Sequence, residues 1–371
     1  MERRERGFFG KFIVFILSVL AVIGLVAMAL SVINAYINPQ HFIWTTLFGL
    51  AFWEILIYNI LIFILLVFLW SRKAWISVLA LVIAIPGIAK SFSFGSKVEA
   101  DNSIRIMSYN VHMFRPVDKK TDKETDKESF AYQIINMVKD QNPDILCCQE
   151  FSGYRTDITR QKCIVDFAER SGYQYVYFNR KRNYGGNVIF SKYPITKVTE
   201  ESGIGKEETY GVMVSVDAGE KGKFHVANVH LLSFAITDSE IDILINSTER
   251  PNNLDTIGKT LLHKLRYGFQ RRSEELNNVI NGMPPVEGPI IVCGDFNEPP
   301  HSYNYRQMQK AGFIDTFTKV GRGIKPTYAG KLPLLRIDYI WANDGVTPLN
   351  FRRYRYKASD HYPIILDFKI Q

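Results

Sequence analysis

The sequence predicts an α/β sandwich preceded by an apolar helical segment. Three observations lead there. Residues 12–90 are almost entirely apolar, whereas the remaining three-quarters of the chain reads as a soluble domain. In that remainder, short apolar runs recur at residues 104–106, 145–148, 224–227 and 290–293, with the length and composition of buried strands. Helical periodicity lies between the runs without strict strand–helix–strand alternation, which favours a layered sandwich over a doubly wound sheet.

The N-terminal elements follow from apolar length. Residues 12–33 carry no charge and are long enough to span a bilayer. A second run, residues 43–70, is interrupted only by Glu54 and Asn59. A third, residues 74–90, is shorter and contains Pro86 and Gly87. No small-residue cleavage site follows a short apolar core, so about three retained transmembrane helices are expected rather than a signal peptide. Basic residues flank the first run (Arg3, Arg4, Arg6, Lys11) and separate the second from the third (Arg72, Lys73), while residues 34–41 carry no Lys or Arg. The positive-inside rule puts the basic flanks in the cytoplasm. The following domain then emerges on the non-cytoplasmic side, at the inner membrane if the source is bacterial. A re-entrant third run would reverse that side. Glu54 is ionisable near membrane depth, or it lies at the interface if the second span starts late, which is the favoured reading. The expected organisation is a membrane-anchoring segment at 1–92, a linker at 93–102 and a catalytic domain at 103–371.

The domain elements follow in order. The stretch 119–129 repeats Thr-Asp-Lys-Glu and reads as a solvated loop. Residues 130–140 have helical periodicity, and Pro143 leads into the strand that ends at Glu150. Residues 162–171 read as a helix, and 173–178 and 188–190 as strands joined by a turn at 184–187. Residues 210–217 and 223–229 alternate like paired strands. Residues 239–281 are polar and largely helical. Residues 290–293 form a strand, 303–311 a helix, and 337–341 and 364–368 the closing strands.

Composition narrows the chemistry. Four cysteines (Cys147, Cys148, Cys163, Cys293) have no CxxC spacing, so neither a zinc site nor a disulfide framework is signalled, and those in strand-like runs read as buried thiols. The formal net charge is +8. A basic cluster at Lys264, Arg266, Arg271 and Arg272 suits anionic partners or simple solubility equally.

Polar motifs cap the apolar runs. They are Ser108-Tyr109-Asn110, Gln149-Glu150, Asn228-Val229-His230, Gly294-Asp295-Phe296-Asn297, Arg336-Ile337-Asp338-Tyr339 and Ser359-Asp360-His361. Each alone is an ordinary turn or cap. Together they deliver carboxylates, amides and imidazoles to strand ends, a rigid base for one polar site. Hard oxygen donors with His suit Mg²⁺ or Mn²⁺ and phosphate chemistry better than Zn²⁺. His112, His225, His263 and His301 fall outside the motifs and read as structural.

The ordered set resembles the endonuclease/exonuclease/phosphatase superfamily over about residues 103–371. The resemblance implies a four-layer α/β sandwich of two mixed β-sheets flanked by helices, and divalent-metal-dependent hydrolysis of phosphate esters. It implies Glu150 as main metal ligand, Asn110 beside the metal, and Asp360 as a further metal-site carboxylate. It implies Asp295 as the group that orients or deprotonates water, and Asn297, His230 and Asn187 as phosphate contacts. His361 would contact the phosphate, with Asp338 as its orienting carboxylate. The physical logic agrees: a cation neutralises the charge that shields a phosphodiester, a carboxylate activates water, imidazoles stabilise the equatorial oxygens, and an Asp fixes the histidine tautomer.

Three functions compete at this stage. One is a membrane-anchored phosphodiesterase acting on a phospholipid or another envelope-side phosphoester. The second is a membrane-tethered nuclease on DNA or RNA, for which Tyr303, Tyr305 and Tyr328 are candidate rim aromatics and the basic cluster a backbone contact. The third is a non-catalytic binding module. The lipid bilayer is a partner through the N-terminal helices, and no protein partner is inferable. The longer inositol-phosphatase form of the Gly-Asp-Phe-Asn motif is replaced by Glu298-Pro299-Pro300.

Overall fold

The computed structural model describes residues 7–115, 127–178, 186–198, 203–204, 210–233, 254–330 and 334–371. Most of the charged 119–129 stretch, Tyr184 and Gly185 of the expected turn, residues 239–253 and the first arginines lie outside these residues. The chain divides into two compact units, residues 1–91 with 299–306, and residues 92–298 with 307–371.

The first unit is helical because its segments are apolar on every side, the pattern of helices shielded from water all round. The helices are α1 (Phe8–Ile33), α2 (Trp44–Leu50), α3 (Phe52–Phe68) and α4 (Trp75–Ser91). Two helical stretches, Phe8–Tyr36 of 29 residues and Arg72–Ser91 of 20, are long and apolar enough to cross a membrane. The second apolar run is not one straight helix. It breaks at Ala51 (φ −89°, ψ 23°), and α2 and α3 meet at 69°. Pro86, by contrast, sits inside α4 without ending it. The weak point therefore lies in the second run rather than the third. Asn59, which interrupts that run in sequence, is fully buried and donates to the carbonyls of Gly24 (3.1 Å) and Ile55 (2.9 Å). A buried amide in an apolar bundle needs such partners. Glu54 is exposed in the first turn of α3, where its charge faces the helix's positive end.

The second unit is built on strands. In chain order these are β1 (Phe92–Phe94), β2 (Ile104–Asn110), β3 (Ile145–Phe151), β4 (Tyr175–Phe178), β5 (Gly186–Ser191), β6 (Ile195–Lys197), β7 (Gly203–Ile204), β8 (Gly211–Asp217), β9 (Lys223–His230), β10 (Ile290–Asp295), β11 (Ile314–Asp315), β12 (Arg322–Ile324), β13 (Asp338–Ala342), β14 (Val346–Arg353) and β15 (Ile364–Ile370). One sheet has the order β14-β15-β2-β3-β5-β4. The other runs β11-β13-β10-β9-β8-β6, with β7 also on β8. Both are mixed: β2 runs parallel to β3, and β9 to β10, among antiparallel neighbours. The short pair β1–β12 stands apart.

Period-two alternation divides the apolar residues between two cores. Ile104, Ile106, Ile145 and Cys147 of one sheet meet Val214, Val226, Ile291 and Cys293 of the other. On the outer face, Met107, Leu146 and Cys148 pack against Ile134 and Val138 of α5 (Lys127–Gln141) and Ile164 and Phe167 of α6 (Arg160–Ser171). Further helices are α7 (Leu254–Gly282), α8 (Tyr303–Lys310) and α9 (Thr316–Val320). The fold is thus an α/β sandwich of two mixed sheets flanked by helices. All four cysteines are buried free thiols.

A polar seam crosses the apolar inter-sheet core. Gln149 donates to Asn228 Oδ1 (2.7 Å) and Ser108 Oγ (3.1 Å), and Asn228 donates to the carbonyls of Cys148 (2.8 Å) and Val188 (3.0 Å). These groups are buried, so each bond also removes a desolvation penalty of about 1–3 kcal/mol. β14 was not anticipated, because Pro348 and the register shift beside it spoil its alternation.

Candidate active site

Strand register gathers the polar motifs at one end of the sandwich. β9 and β10 pair in parallel so that His230 stands opposite Asp295, and β13 pairs antiparallel with β10 so that Asp338 also stands opposite Asp295. On the other sheet, Asn110 ends β2 beside Gln149 of β3. A register shift between Cys148 and Phe151, with Glu150 at φ 53°, turns the Glu150 side chain away from the ladder. The site is therefore assembled half from each sheet.

Gly294 makes the close approach possible. Its φ is 140°, and a Cβ built there would lie 1.8 Å from the carbonyl oxygen of Val229 on β9. Only a residue without a side chain lets β10 press Asp295 so near β9. Asn297 follows at φ 52°, a left-handed turn that Asn tolerates.

The side chains form a connected cluster. Asn110 Nδ2 donates to Glu150 Oε1 (3.2 Å) and Asp295 Oδ2 (3.0 Å). Its amide oxygen accepts from the His112 backbone (3.0 Å), so in this arrangement Asn110 presents its NH₂ to the carboxylates. His361 Nδ1 lies 2.9 Å from Asp338 Oδ2, and its Nε2 lies 3.6 Å from Asp295 Oδ2. His230 Nε2 lies 3.6 Å from Glu150 Oε1 and 3.8 Å from Asp295 Oδ2. That nitrogen is buried and makes no hydrogen bond among the described residues. Asp360 pairs with His112 Nδ1 at 3.1 Å. Ser359 donates to the Asn110 carbonyl (2.7 Å), locking the Ser-Asp-His loop onto β2.

Electrostatics divide the roles. Burial pushes the Asp295 carboxyl up to about 6, against the opposing pull of His361. Burial works against the His361 imidazolium, yet Asp338 and Asp295 together hold it well above the ordinary histidine range. Burial raises Asp360, but its hydrogen bond to His112, the His361 and His112 charges and the Ser359 hydrogen bond together leave it lowered. Burial pulls His112 down, but that hydrogen bond together with the Asp360 and Glu150 charges leaves it raised.

Asp295, Asp338 and His361 bring ligand atoms close enough to hold a metal ion. Glu150, held by Asn110, offers a further carboxylate beside Asp295, and oxygen donors of this kind suit a hard divalent cation.

The remaining expected residues are tied inward. Asn297 donates to the Leu231 carbonyl (3.0 Å), and its backbone N–H to Asp295 Oδ1 (2.9 Å). Asn187 donates to the carbonyls of Asn228 (3.1 Å) and Tyr210 (3.4 Å). Of the rim aromatics, Tyr328 bridges to His361 and meets its ring edge-on at 5.7 Å. Tyr305 is buried. Arg272 leaves the basic cluster: it is fully buried and bonds Glu298 at 2.7 Å. His112 is the residue the sequence reading missed.

Comparison with known proteins follows the same boundaries. The profile of the Endonuclease/Exonuclease/phosphatase family matches residues 107–361, and one described as Domain of unknown function (DUF8431) matches residues 11–91. The chain is 23% identical over 279 residues to Uncharacterized protein YbhP of Escherichia coli K12, covering 71% of this chain and 94% of that protein. It is 22% identical over 301 residues to a DNA-(apurinic or apyrimidinic site) endonuclease of Dictyostelium discoideum, covering 72% and 71%. Among solved structures it is similar to an endonuclease/exonuclease/phosphatase from Beutenbergia cavernae DSM 12333, with 17% identity, 72% of each chain covered and a TM-score of 0.47.

Proposed function

The chain belongs to the Endonuclease/Exonuclease/phosphatase family, and from that premise we propose that it is a membrane-anchored hydrolase of phosphodiesters that uses Mg²⁺ or Mn²⁺. The observation that carries the reading is the cluster of Asp295, His361 and His230, with one imidazole nitrogen buried and unsatisfied beside two carboxylates. Such a nitrogen favours an incoming phosphate oxygen.

A bound divalent cation supplies charge neutralisation at the phosphoryl group. Glu150 and Asp360 would hold it. Asp295, next to Asn110 and buried, aligns a water molecule for attack and takes its proton as the new phosphorus–oxygen bond forms, the bond to the leaving alcohol oxygen breaks and that oxygen takes a proton from solvent. Its raised pKa makes it a better base than an ordinary Asp. His361, kept protonated by Asp338, donates a hydrogen bond to the phosphate, and His230 contacts a second oxygen. Asn297, on its left-handed turn, stands beside these groups to orient the phosphate.

The bilayer is proposed as the site of action, with the domain on its non-cytoplasmic side. The basic pair Arg72–Lys73 supports this side by the positive-inside rule. It requires the bent α2–α3 pair to cross as one span. Protease protection in oriented membranes tests it: a domain digested only from the cytoplasmic face overturns the assignment.

The catalytic reading is tested with purified full-length protein on phospholipid vesicles and on supercoiled plasmid, with Mg²⁺ and with chelator, beside Asp295→Ala. Metal-dependent hydrolysis that vanishes in a folded variant supports it. Equal activity in Asp295→Ala sinks the mechanism. Plasmid nicking without lipid cleavage selects the nuclease reading, which the similarity to a protein named as a DNA endonuclease favours.

A further inference from the structure

We propose that Lys325, Arg353 and Arg355 form a second anion subsite, which takes a phosphate of the substrate other than the one being cut. The proposal rests on the phosphodiesterase reading for its effect on turnover, though not for its effect on binding.

Backbone register within the second unit brings the three cations together. Arg353 ends β14 opposite Ile364, and the next residue, Tyr354, donates its backbone N–H to the Pro363 carbonyl (2.9 Å). Arg353 Nη1 donates to the carbonyl of Pro326 (2.7 Å), the residue after Lys325. The same guanidinium lies 5.0 Å from the centre of the Tyr362 ring. Arg353 Nε is buried and makes no hydrogen bond among the described residues. Arg355 is exposed and Lys325 half-buried. Among the described residues no carboxylate pairs with any of the three, whereas the adjacent Arg352 lies 3.8 Å from Asp367. Burial, then the charges of Arg353 and Arg355, hold Lys325 below the ordinary lysine range. Burial and the Arg355 charge lower Arg353, against the pull of Tyr362. Like charges left facing one another are unfavourable, and a bound anion relieves them.

Location ties the cluster to the end of the sandwich where the polar motifs gather. Ile364 stands between Arg353 on β14 and Ser108 on β2, two residues before Asn110. Two strand spacings make that separation about 10 Å. From the other direction, Tyr362 donates its backbone N–H to the Thr327 carbonyl (2.7 Å), and the next residue, Tyr328, bridges to His361. A single phosphate held at His361 does not reach that far, whereas a chain of phosphates does. Charges along one nucleic-acid strand recur every ~3.4 Å of helix axis, so the subsite lies a few nucleotides from the cut. Aromatic faces favour this source over a lipid headgroup. Tyr354, 37% exposed, stacks on Tyr356 with centroids 6.2 Å apart and planes 24° apart, and the Tyr356 hydroxyl donates to the Gln133 carbonyl (3.0 Å). Cations interleaved with an anchored aromatic pair are the means by which single strands are gripped without regard to sequence.

The test uses the full chain in phosphatidylcholine nanodiscs. Wild type is compared with Lys325→Gln, Arg355→Gln, their double variant and Lys139→Gln, which removes an exposed cation on α5. Binding of fluorescein-labelled oligothymidylate is read by anisotropy in chelator across a salt series. With Mg²⁺, kcat/KM is read on oligothymidylate and on bis(p-nitrophenyl) phosphate, which carries one phosphate. The double variant should bind oligothymidylate about tenfold more weakly, with a slope of log Kd against log salt flatter by about 1.4. Its ratio of kcat/KM on oligothymidylate to that on bis(p-nitrophenyl) phosphate should fall by about the same factor. Each single variant should lie between, and Lys139→Gln should match wild type. Unchanged affinity and slope in a double variant with wild-type thermal unfolding overturn the proposal, as does equal weakening by Lys139→Gln. Weaker binding with an unchanged ratio marks an anion site that the substrate does not use, and overturns it too. Phosphatidylcholine vesicles containing phosphatidylinositol 4-phosphate represent the lipid source, and weakening on these vesicles alone overturns the polynucleotide assignment. If wild type hydrolyses neither substrate, the phosphodiesterase reading fails, and anisotropy alone decides whether the anion subsite exists.

Discussion

Gly294→Ala isolates the close approach on which the site depends. The added Cβ would meet the Val229 carbonyl oxygen at 1.8 Å and its carbon at 2.8 Å. Carbon–oxygen contacts settle at about 3.3 Å or more, so the strands must part by roughly 1.5 Å. Overpacking of this kind costs about 1–3 kcal/mol. A non-glycine residue at φ 140° adds about 1–3 kcal/mol of strain. The expected total is roughly 4 kcal/mol, a large share of the ~5–15 kcal/mol that stabilises a domain. At about 2–4 °C per kcal/mol, the midpoint should fall by about 10 °C. Turnover should fall by about 10²-fold or more, because Asp295 moves with the strand. Gly172→Ala is the control: its φ is 83° and nothing lies within 4 Å of the added carbon, so it should cost only ~1–2 kcal/mol. Thermal unfolding and hydrolysis of the purified full chain decide the matter. A Gly294→Ala protein that unfolds with Gly172→Ala and turns over like wild type would refute the reasoning.

Asp338→Asn removes the carboxylate 2.9 Å from His361; since that partner raises the imidazole, its pKa should fall, the alkaline limb of the pH–rate profile should move to lower pH, and an unmoved limb would exclude the proton role. Asp295 has a folded pKa of about 6 against 3.8 unfolded; a raised carboxyl favours folding at pH below ~4, and that contribution is lost as pH rises through 6. The loss is on the order of 3 kcal/mol, so chelated Asp295→Asn should unfold with a flatter pH dependence between 4 and 7 in thermal melts, and an unchanged slope would contradict the burial argument. Arg272→Met removes the guanidinium 2.7 Å from the buried Glu298 carboxylate and should cost about 3–5 kcal/mol, part of it recovered in the Arg272→Met/Glu298→Gln double variant when both are melted side by side.

The strand ends were legible because each is an apolar run stopped abruptly by groups that cannot be buried without partners. The register bringing Asp295 opposite both His230 and Asp338 was not, since pairing is decided by side chains far apart in the chain. His112 was passed over because the backbone turns left-handed at His112, Met113 and Phe114 (φ 45°, 52° and 58°), and no residue type there announces it. Arg272 had a readable signal: it shares a helical stripe with Leu276 and Val279, both fully buried, at the spacing that marks a core face. A basic cluster counted by composition hid that stripe. The break at Ala51 has no proline or glycine of its own to betray it.

The Gln149–Asn228 seam bears on how precisely this site can be copied from one molecule to the next. Apolar sheets slide over one another at small cost, since dispersion is shallow and non-directional. The clustered side chains straddle that sliding plane, with Asn110 and Glu150 on one side and His230, Asp295 and Asp338 on the other. Any slip would enter undiminished into every carboxylate–imidazole distance. Hydrogen bonds of 2.7–3.1 Å across the plane fail when stretched by a few tenths of an ångström. They work as a gauge block set directly behind the site.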